Sequence, residues 1–468
     1  MTRSHRAALG VALMAALGSS GCTDFLTGEG IDRDPNFPTQ ATRDQLFVAV
    51  QAAQFGQQLG SGAFLSCMYM QQCSGVGGRF VETWDNYGAL PQDLNADFIQ
   101  AYTGGGLVDL RQIRAGAEAA GDRQYEGIAK IWEALAVSFL ADNWGDIPYR
   151  EAAGGSSVPV FDPQLQVYAD LQELLDEAID DLGGAGPGPG AVDLVHRGDA
   201  TKWREAAYTL KARLHMHTAE VLGNTAYTVA VAAATNGISA PANDFRTLHT
   251  TATSERNMWN QFNGTSFGGD IVAGKRLVDL MVARDDPRLP EYFGLNPSGG
   301  YGGNDVNGAT PTNEISLLEG ARNSPTFRQP LLTWEENQLI LAEARYQLAG
   351  GGAAGTAAAQ PHLDAVRSQY IATPIVATLE NIMTEKYIAL FQNVEVWQDY
   401  KRTCLPPLAP AAGAAVVPGR VYYGTTEANA NPNTPPVSSQ LANGGVAGGR
   451  PGVGGFRNPN DPAACPAP

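Results

Sequence analysis

Apolar residues recur at three- and four-residue steps in one segment after another, and this spacing restricts the chain to a fold built from amphipathic helices. Ile128, Ile131, Trp132, Leu135 and Phe139 form one stripe, Leu171, Leu174, Leu175, Ala178 and Leu182 a second, and Trp203, Ala207, Leu210 and Leu214 a third. Each set falls on one side of a helix, where it is buried only against a neighbour. Thr333-Trp334-Glu335-Glu336 predicts a capping-box start for a helix to Leu348, and Tyr387, Ile388 and Phe391 lead a further helix toward Trp397. The period-two alternation of half-buried strands is scarce. Pairing 125–141 with 163–182, and 331–348 with 378–399, gives stacked helical hairpins of tetratricopeptide type, although no clean repeat of fixed period runs through the chain.

Long segments rich in Gly, Asn, Thr and Pro separate the helices: 60–97, 183–199, 222–270, 294–330 and 404–468. Irregular chain on this scale points to function carried on loops above a helical frame.

The first residues read as an export signal. Arg3 and Arg6 form a cationic head, Ala7 to Leu17 an apolar core too short to span a bilayer, and Ser19-Ser20-Gly21 a run of small residues before Cys22. Residues 1–21 are therefore expected to be a signal peptide, Cys22 to carry lipid, 22–43 to be a tether, and 44–468 to form a single domain. Ser19 stands where a lipobox usually has a large aliphatic residue, and Leu17 lies two places further back. The competing reading is an ordinary secretory cleavage that leaves Cys22 a plain thiol. With no later apolar segment long enough to cross a bilayer, membrane attachment would rest on acyl chains alone.

Setting Cys22 aside leaves Cys67, Cys73, Cys404 and Cys465, an even number suited to an oxidising compartment. Cys67 with Cys73 and Cys404 with Cys465 is the simplest of the possible pairings. Metal binding by these thiols lacks CxxC spacing or a neighbouring His. The net charge of −17 argues against nucleic acid and against anionic lipid as partners.

Several blocks together resemble the SusD/RagB family of outer-membrane nutrient-binding lipoproteins. They are Cys22-Thr23-Asp24-Phe25-Leu26; Ala141 to Ala152, with its GDIPY-type turn; and Gly198 to Trp203 with the helix Tyr208 to His215. Asp285 to Leu289 matches a DPRL turn, Leu331 to Ala344 an LLTxxExxLxxAEA helix, and Glu385 to Arg402 an EKxxALFxxxExWxDxxR helix. Lys401 departs from the Arg of many relatives, as does the long Gly-rich tail after Tyr423. The resemblance implies a mostly α-helical protein whose tetratricopeptide-like hairpins support irregular loops, lipid-anchored on the outer face of the cell. It also implies a partner, a TonB-dependent outer-membrane barrel of SusC type, to which glycan or peptide is delivered without being cleaved.

Asp142 and Asp146 lie four apart and suggest paired catalytic acids, but Gly145 and Pro148 break the helix there. Carboxylates at such a break are expected to accept loose backbone N–H groups. His215 and His217, two apart on a helix, point too far apart to share one metal ion. GxSxG, HExxH and P-loop spacings are absent, so neither catalysis nor a cofactor is expected. Sugar binding needs flat apolar rings beside planar amides or carboxylates, and loops are where such rings are accessible. Trp84, Asn86 and Tyr87 meet that description, as do Trp259 with Phe262, and Tyr301 with Asn304. Trp132, Trp203, Trp334 and Trp397 fall on helical stripes and belong to the core. The rival functions are a surface glycoside hydrolase using two carboxylates and a helical-repeat adaptor that contacts only proteins.

Overall fold

The computed structural model describes residues 41–76, 84–265, 267–414, 416–436 and Cys465. Cys22, the export segment and most of the tether lie outside them. The chain divides into Met1–Leu46 and Phe47–Pro468, and the second unit carries the architecture described below.

The first helix, α1 (Arg43–Leu59), opens with a reciprocal capping box: Gln45 N–H donates to Thr42 Oγ1 at 3.2 Å and Thr42 N–H donates to Gln45 Oε1 at 2.9 Å. After α2 (Ser61–Tyr69) and the short strand β1 (Cys73–Gly75) come α3 (Leu107–Ala119), α4 (Arg123–Trp144), α5 (Gln164–Asp181), α6 (Ala200–Met216) and α7 (Asn224–Ala234). Strand β2 (Phe245–Arg246), α8 (Met258–Asn263), β3 (Ile271–Ala273), α9 (Lys275–Ala283) and β4 (Pro330–Leu332) follow. The chain continues with α10 (Trp334–Leu348), α11 (Gly352–Gln369), α12 (Leu379–Ala389) and α13 (Glu395–Thr403). Packing runs from α3 to α4, α5, α6 and α7, then through α10 to α11 and α12, so the frame is a row of helical hairpins. Among the described residues, strands are confined to two antiparallel pairs, β1 with β3 and β2 with β4.

The predicted stripes are the buried faces. Trp132, Trp203 and Trp397 are fully buried, with Trp132 and Trp203 both edge-on to Phe245 at 4.9 and 5.0 Å, while Trp334 is half-buried. Gly127 on α4 lets α5 approach, since a Cβ there would lie 2.8 Å from Ala178 O. The expected hairpins α4–α5 and α10–α12 both form. Helices α2, α7 and α8 lie in stretches expected to be irregular, and α11 was not legible either. Residues 224–234 fall in a stretch expected to be irregular, yet α7 packs Ala226, Ala230, Ala233 and Ala234 inward, the last three against Ile340, Leu341 and Ala344 of α10. Helix α11, with its glycines and internal Pro361, carries no strong apolar stripe and buries Ala359, Leu363 and Val366 against α10 and α12. The helix expected to run on toward Trp397 is two helices: Gln392 takes a φ of 64°, and Asn393 Oδ1 accepts Glu395 N–H at 3.0 Å to start α13.

The motif carboxylates and cations of α10, α12 and α13 build an interior ion network rather than a surface. Thr333 Oγ1 accepts Glu336 N–H at 3.0 Å, but the Glu336 carboxylate turns away from the cap to hold Arg213 at 2.6 Å through both oxygens. Arg402 bridges Glu343 and Asp399, Lys386 Nζ reaches Asp399 at 2.8 Å, and Glu385 receives Arg288 and Arg367. Asp286 of the DPRL turn closes on Arg288 at 2.7 Å. Each ion has been taken out of water, so removing one partner strands a buried charge.

The two sulfur pairs form as Cys67–Cys73 and Cys404–Cys465. The first ties the end of α2 to β1, and the second ties residue 465 to the end of α13.

Candidate functional site

The GDIPY-type turn shows how the frame holds its loops. Helix α4 ends at Trp144 because Gly145 adopts a φ of 85°. Asp146 Oδ1 then accepts Gln164 N–H at 2.9 Å at the start of α5, and Asp162 Oδ2 accepts Tyr149 N–H and Arg150 N–H, each at 2.9 Å. Asp146 therefore holds loose backbone N–H as expected. Asp142 does not; its carboxylate accepts the Tyr168 hydroxyl at 2.7 Å and lies 3.0 Å from His217 Nδ1.

Among the described residues, Asp142, His217 and Glu395 are the His and acid side chains close enough to share a metal ion. Their charges are already met. His217 Nε2 lies 2.9 Å from Glu395 Oε1, Arg213 faces Glu336 and Glu395, and Lys401 Nζ donates to Asp142 O at 2.6 Å. Burial pulls the imidazole down, but Glu395 and Asp142 outweigh it and lift its pKa to about 9, so the ring is a buried cation. His215 is separate, and burial lowers it to about 4.

Three of the expected ligand-facing rings are in fact interior. Trp84, Tyr87 and Trp259 are 3%, 1% and 1% exposed, and no ring face is presented for stacking. Trp84 Nε1 donates to Asp93 Oδ2 at 2.9 Å, tying its loop to the next turn. Tyr87 packs edge-on against Tyr69 at 5.2 Å, its hydroxyl accepts Ala411 N–H at 3.2 Å, and burial pushes its pKa up to about 12. Trp259 meets Phe64 edge-on at 4.5 Å on α2. These corrections share one cause: a large ring on a loop is the cheapest apolar area with which to pin that loop to the frame. Asn86, Phe262 and Tyr301 are half-buried, with Phe262 packed against Phe64 and stacked with Phe267.

The loops that carry Asn86 and Tyr301 converge on β1. Ser74 Oγ donates to Asp85 Oδ2 and accepts from Asn304 Nδ2, both at 2.7 Å. Strand β3 lies between β1 and the 302–317 segment, since Ala273 N–H reaches Ser316 O at 3.1 Å and Asn304 N–H reaches Ala273 O at 2.8 Å. The segment approaches so closely because it is glycine there: a Cβ on Gly303 would lie 2.4 Å from Lys275 N, and one on Gly302 2.2 Å from Glu314 O.

This junction forms an open cleft of two lobes that share Lys275, Asp279 and Asp305. One lobe, of about 280 Å³, is walled by Gln71, Ser74, Arg276, Asn304 and Asn307; the other, of about 380 Å³, by Tyr301, Asn296, Thr310 and Glu314. Its lining mixes amide, carboxylate and cation with glycine and small apolar groups and carries one half-exposed ring, a surface that can meet both the hydroxyls and the C–H faces of a sugar. Lys275 Nζ pairs with Asp279 Oδ2 at 2.5 Å, and Asp305 Oδ1 accepts Asn307 N–H at 2.9 Å within its own turn. Sequence reasoning reached Tyr301 and Asn304 but missed Lys275, Arg276, Asp279, Asp305 and Asn307. The only signal for these was their place in, or just before, the Gly- and Asn-rich 294–330 segment.

A family model described as "Starch-binding associating with outer membrane" matches residues 35–424. The chain belongs to the SusD-like family. No curated protein matches it significantly. Among solved structures, it is similar to a chitin-binding SusD homolog from Flavobacterium johnsoniae, with a TM-score of 0.69, 20% identity, and coverage of 89% of this chain and 97% of that one. A SusD/RagB family protein from Bacteroides thetaiotaomicron gives a TM-score of 0.69 at 18% identity over 84% of this chain and 95% of that one. A SusD homolog from Bacteroides fragilis gives 0.68 at 19% identity over 90% and 100%. At such identities the likeness establishes a shared SusD-like fold. No helix among the described residues is long and apolar enough to cross a membrane.

Proposed function

We propose that this SusD-like protein binds a glycan in the two-lobed cleft and hands it to a TonB-dependent outer-membrane barrel of SusC type, performing no cleavage itself. Acyl chains on Cys22 would hold it at the outer membrane. The observation that carries the reading is the cleft itself: an open groove of mixed polar and apolar lining with the Tyr301 ring at its wall, built from loops that the helical frame fixes in place. Family membership supports the ligand class and the membrane association. Of the ring candidates, Tyr301 is the one set in the cleft wall; Phe262 and Asn86 are not among the residues that line it.

The test is titration of the mature protein against a panel of plant, bacterial and animal glycans, with peptides as controls. Tyr301→Ala should weaken binding of any positive ligand by about 1–3 kcal/mol while leaving the melting temperature unchanged, as expected for a lost stacked ring. Absence of binding across the panel, or release of new reducing ends from a bound glycan, would remove this reading. Cys22→Ala should move the protein from the membrane fraction to the soluble one.

A further inference from the structure

Several buried arginines in this fold are matched with acids: Arg213 with Glu336, Arg288 with Asp286 and Glu385, Arg367 with Glu385, Arg402 with Glu343 and Asp399. Acid is plentiful, with 48 Asp and Glu against 31 Lys and Arg. Arg276 and Arg345 both depart from this, each half-buried with an unpartnered Nε, and of the two it is Arg276 that lines the cleft. It is half-buried in the wall of the cleft's first lobe, its Nε is sealed from solvent without a hydrogen-bond partner, and among the described residues no carboxylate pairs with it. Of the two acids that share the lobe, Asp279 forms an exposed pair with Lys275 at 2.5 Å and Asp305 Oδ1 accepts Asn307 N–H at 2.9 Å, and neither is bonded to Arg276.

We infer that Arg276 is the anchor for a carboxylate on the ligand, so that the cleft takes an acidic glycan, one built from uronic acid units, in preference to a neutral one. This local pairing has to outweigh the repulsion from the chain's net charge of −17. This inference rests on the glycan reading above and narrows it. A guanidinium whose Nε edge is closed off still has two terminal amino groups, which match the two oxygens of a carboxylate in a parallel, charge-assisted pair. Partial removal from water makes an unpaired cation costly and a pairing ligand correspondingly favoured. The amide nitrogens of Asn304 and Asn307 are bonded to Ser74 Oγ and Pro410 O, which leaves their amide oxygens to accept ring hydroxyls of the same sugar, and the Tyr301 lobe continues the groove for the next unit.

The experiment is calorimetric titration of the mature chain with a galacturonic acid oligomer, with its fully methyl-esterified counterpart, and with neutral glucose and N-acetylglucosamine oligomers. The acid form should bind at least about tenfold more tightly than the ester, the size expected for one charge-assisted hydrogen-bonded pair, and should weaken as salt is raised. Arg276→Gln should abolish the preference, and Arg276→Lys, which keeps the charge but not the fork, should retain part of it. Circular dichroism melts of both variants identify any loss caused by unfolding, and the Lys variant keeps the test open if the Gln variant does not fold. Equal affinity for acid and ester, or a preference that survives Arg276→Gln, would overturn the inference and leave the glycan reading standing. Failure of every glycan to bind would bring down both.

Discussion

Replacing His217 with Gln should destabilise the protein strongly at pH 6 and far less at pH 10. The imidazole lies 2.9 Å from Glu395 Oε1 and 3.0 Å from Asp142 Oδ1, and although burial works against its charge, these two carboxylates lift its pKa to about 9. In the unfolded chain the same group titrates near pH 6.5, so folding raises it by about 2.5 units, worth roughly 3 kcal/mol at about 1.4 kcal/mol per unit. Because the folded value is the higher one, this stabilisation is fully present below about pH 6.5 and is lost as pH rises through about 9. In the variant at pH 6, Asp142 and Glu395 lose their cation inside the fold, a change expected to cost roughly 3–5 kcal/mol. At pH 10 the native imidazole has already given up its proton, so the gap between the two proteins should shrink to about 1–2 kcal/mol. Urea unfolding of both proteins at pH 6, 8 and 10, with equal m-values as the check on two-state behaviour, measures the gap directly. A gap that is flat with pH, or one that widens toward alkaline pH, would refute the buried imidazolium, as would an NMR titration of the ring below pH 7.

The disulfides should contribute unequally. Loop-closure entropy gives about 2 kcal/mol for Cys67–Cys73, six residues apart, and about 4 kcal/mol for Cys404–Cys465, sixty-one apart, so Cys404→Ser should lower the denaturation midpoint about twice as far as Cys67→Ser. Equal shifts would contradict this ranking. Trp259→Ala should act on the fold rather than on the cleft, costing about 3–5 kcal/mol by emptying a packed site against Phe64. If that variant melted like the wild type yet failed to bind glycan, the ring would belong to the binding surface after all.

How much was legible in advance depended on distance along the chain. The stripes of Ile128 to Phe139 and Leu171 to Leu182 are local, so their burial and the hairpin they form follow from periodicity alone. Helix α7 was hidden because alanines 226, 230, 233 and 234 make a buried face without bulk, which becomes apolar contact only once α10 is laid against it. The ring candidates show the same divide. Composition identifies Trp84, Trp259 and Tyr301 as aromatic groups in loop-rich chain, but whether a ring faces solvent or pins its loop depends on what lies opposite: Asp93 for Trp84, Phe64 for Trp259, an open groove for Tyr301.

The sequence by itself thus determined the helical class, the helix start marked by Thr333, and the family to which the motifs belong, because each of these is written within a few turns of chain. Tertiary structure alone decided that Asp142, His217 and Glu395 meet, that the motif acids are interior counter-ions, and that the cleft forms where β1, β3 and the 302–317 segment close on one another. Coulomb energy and burial depend on separation in space, and spacing along a chain says nothing of which charges or rings fold to within a few ångströms of each other.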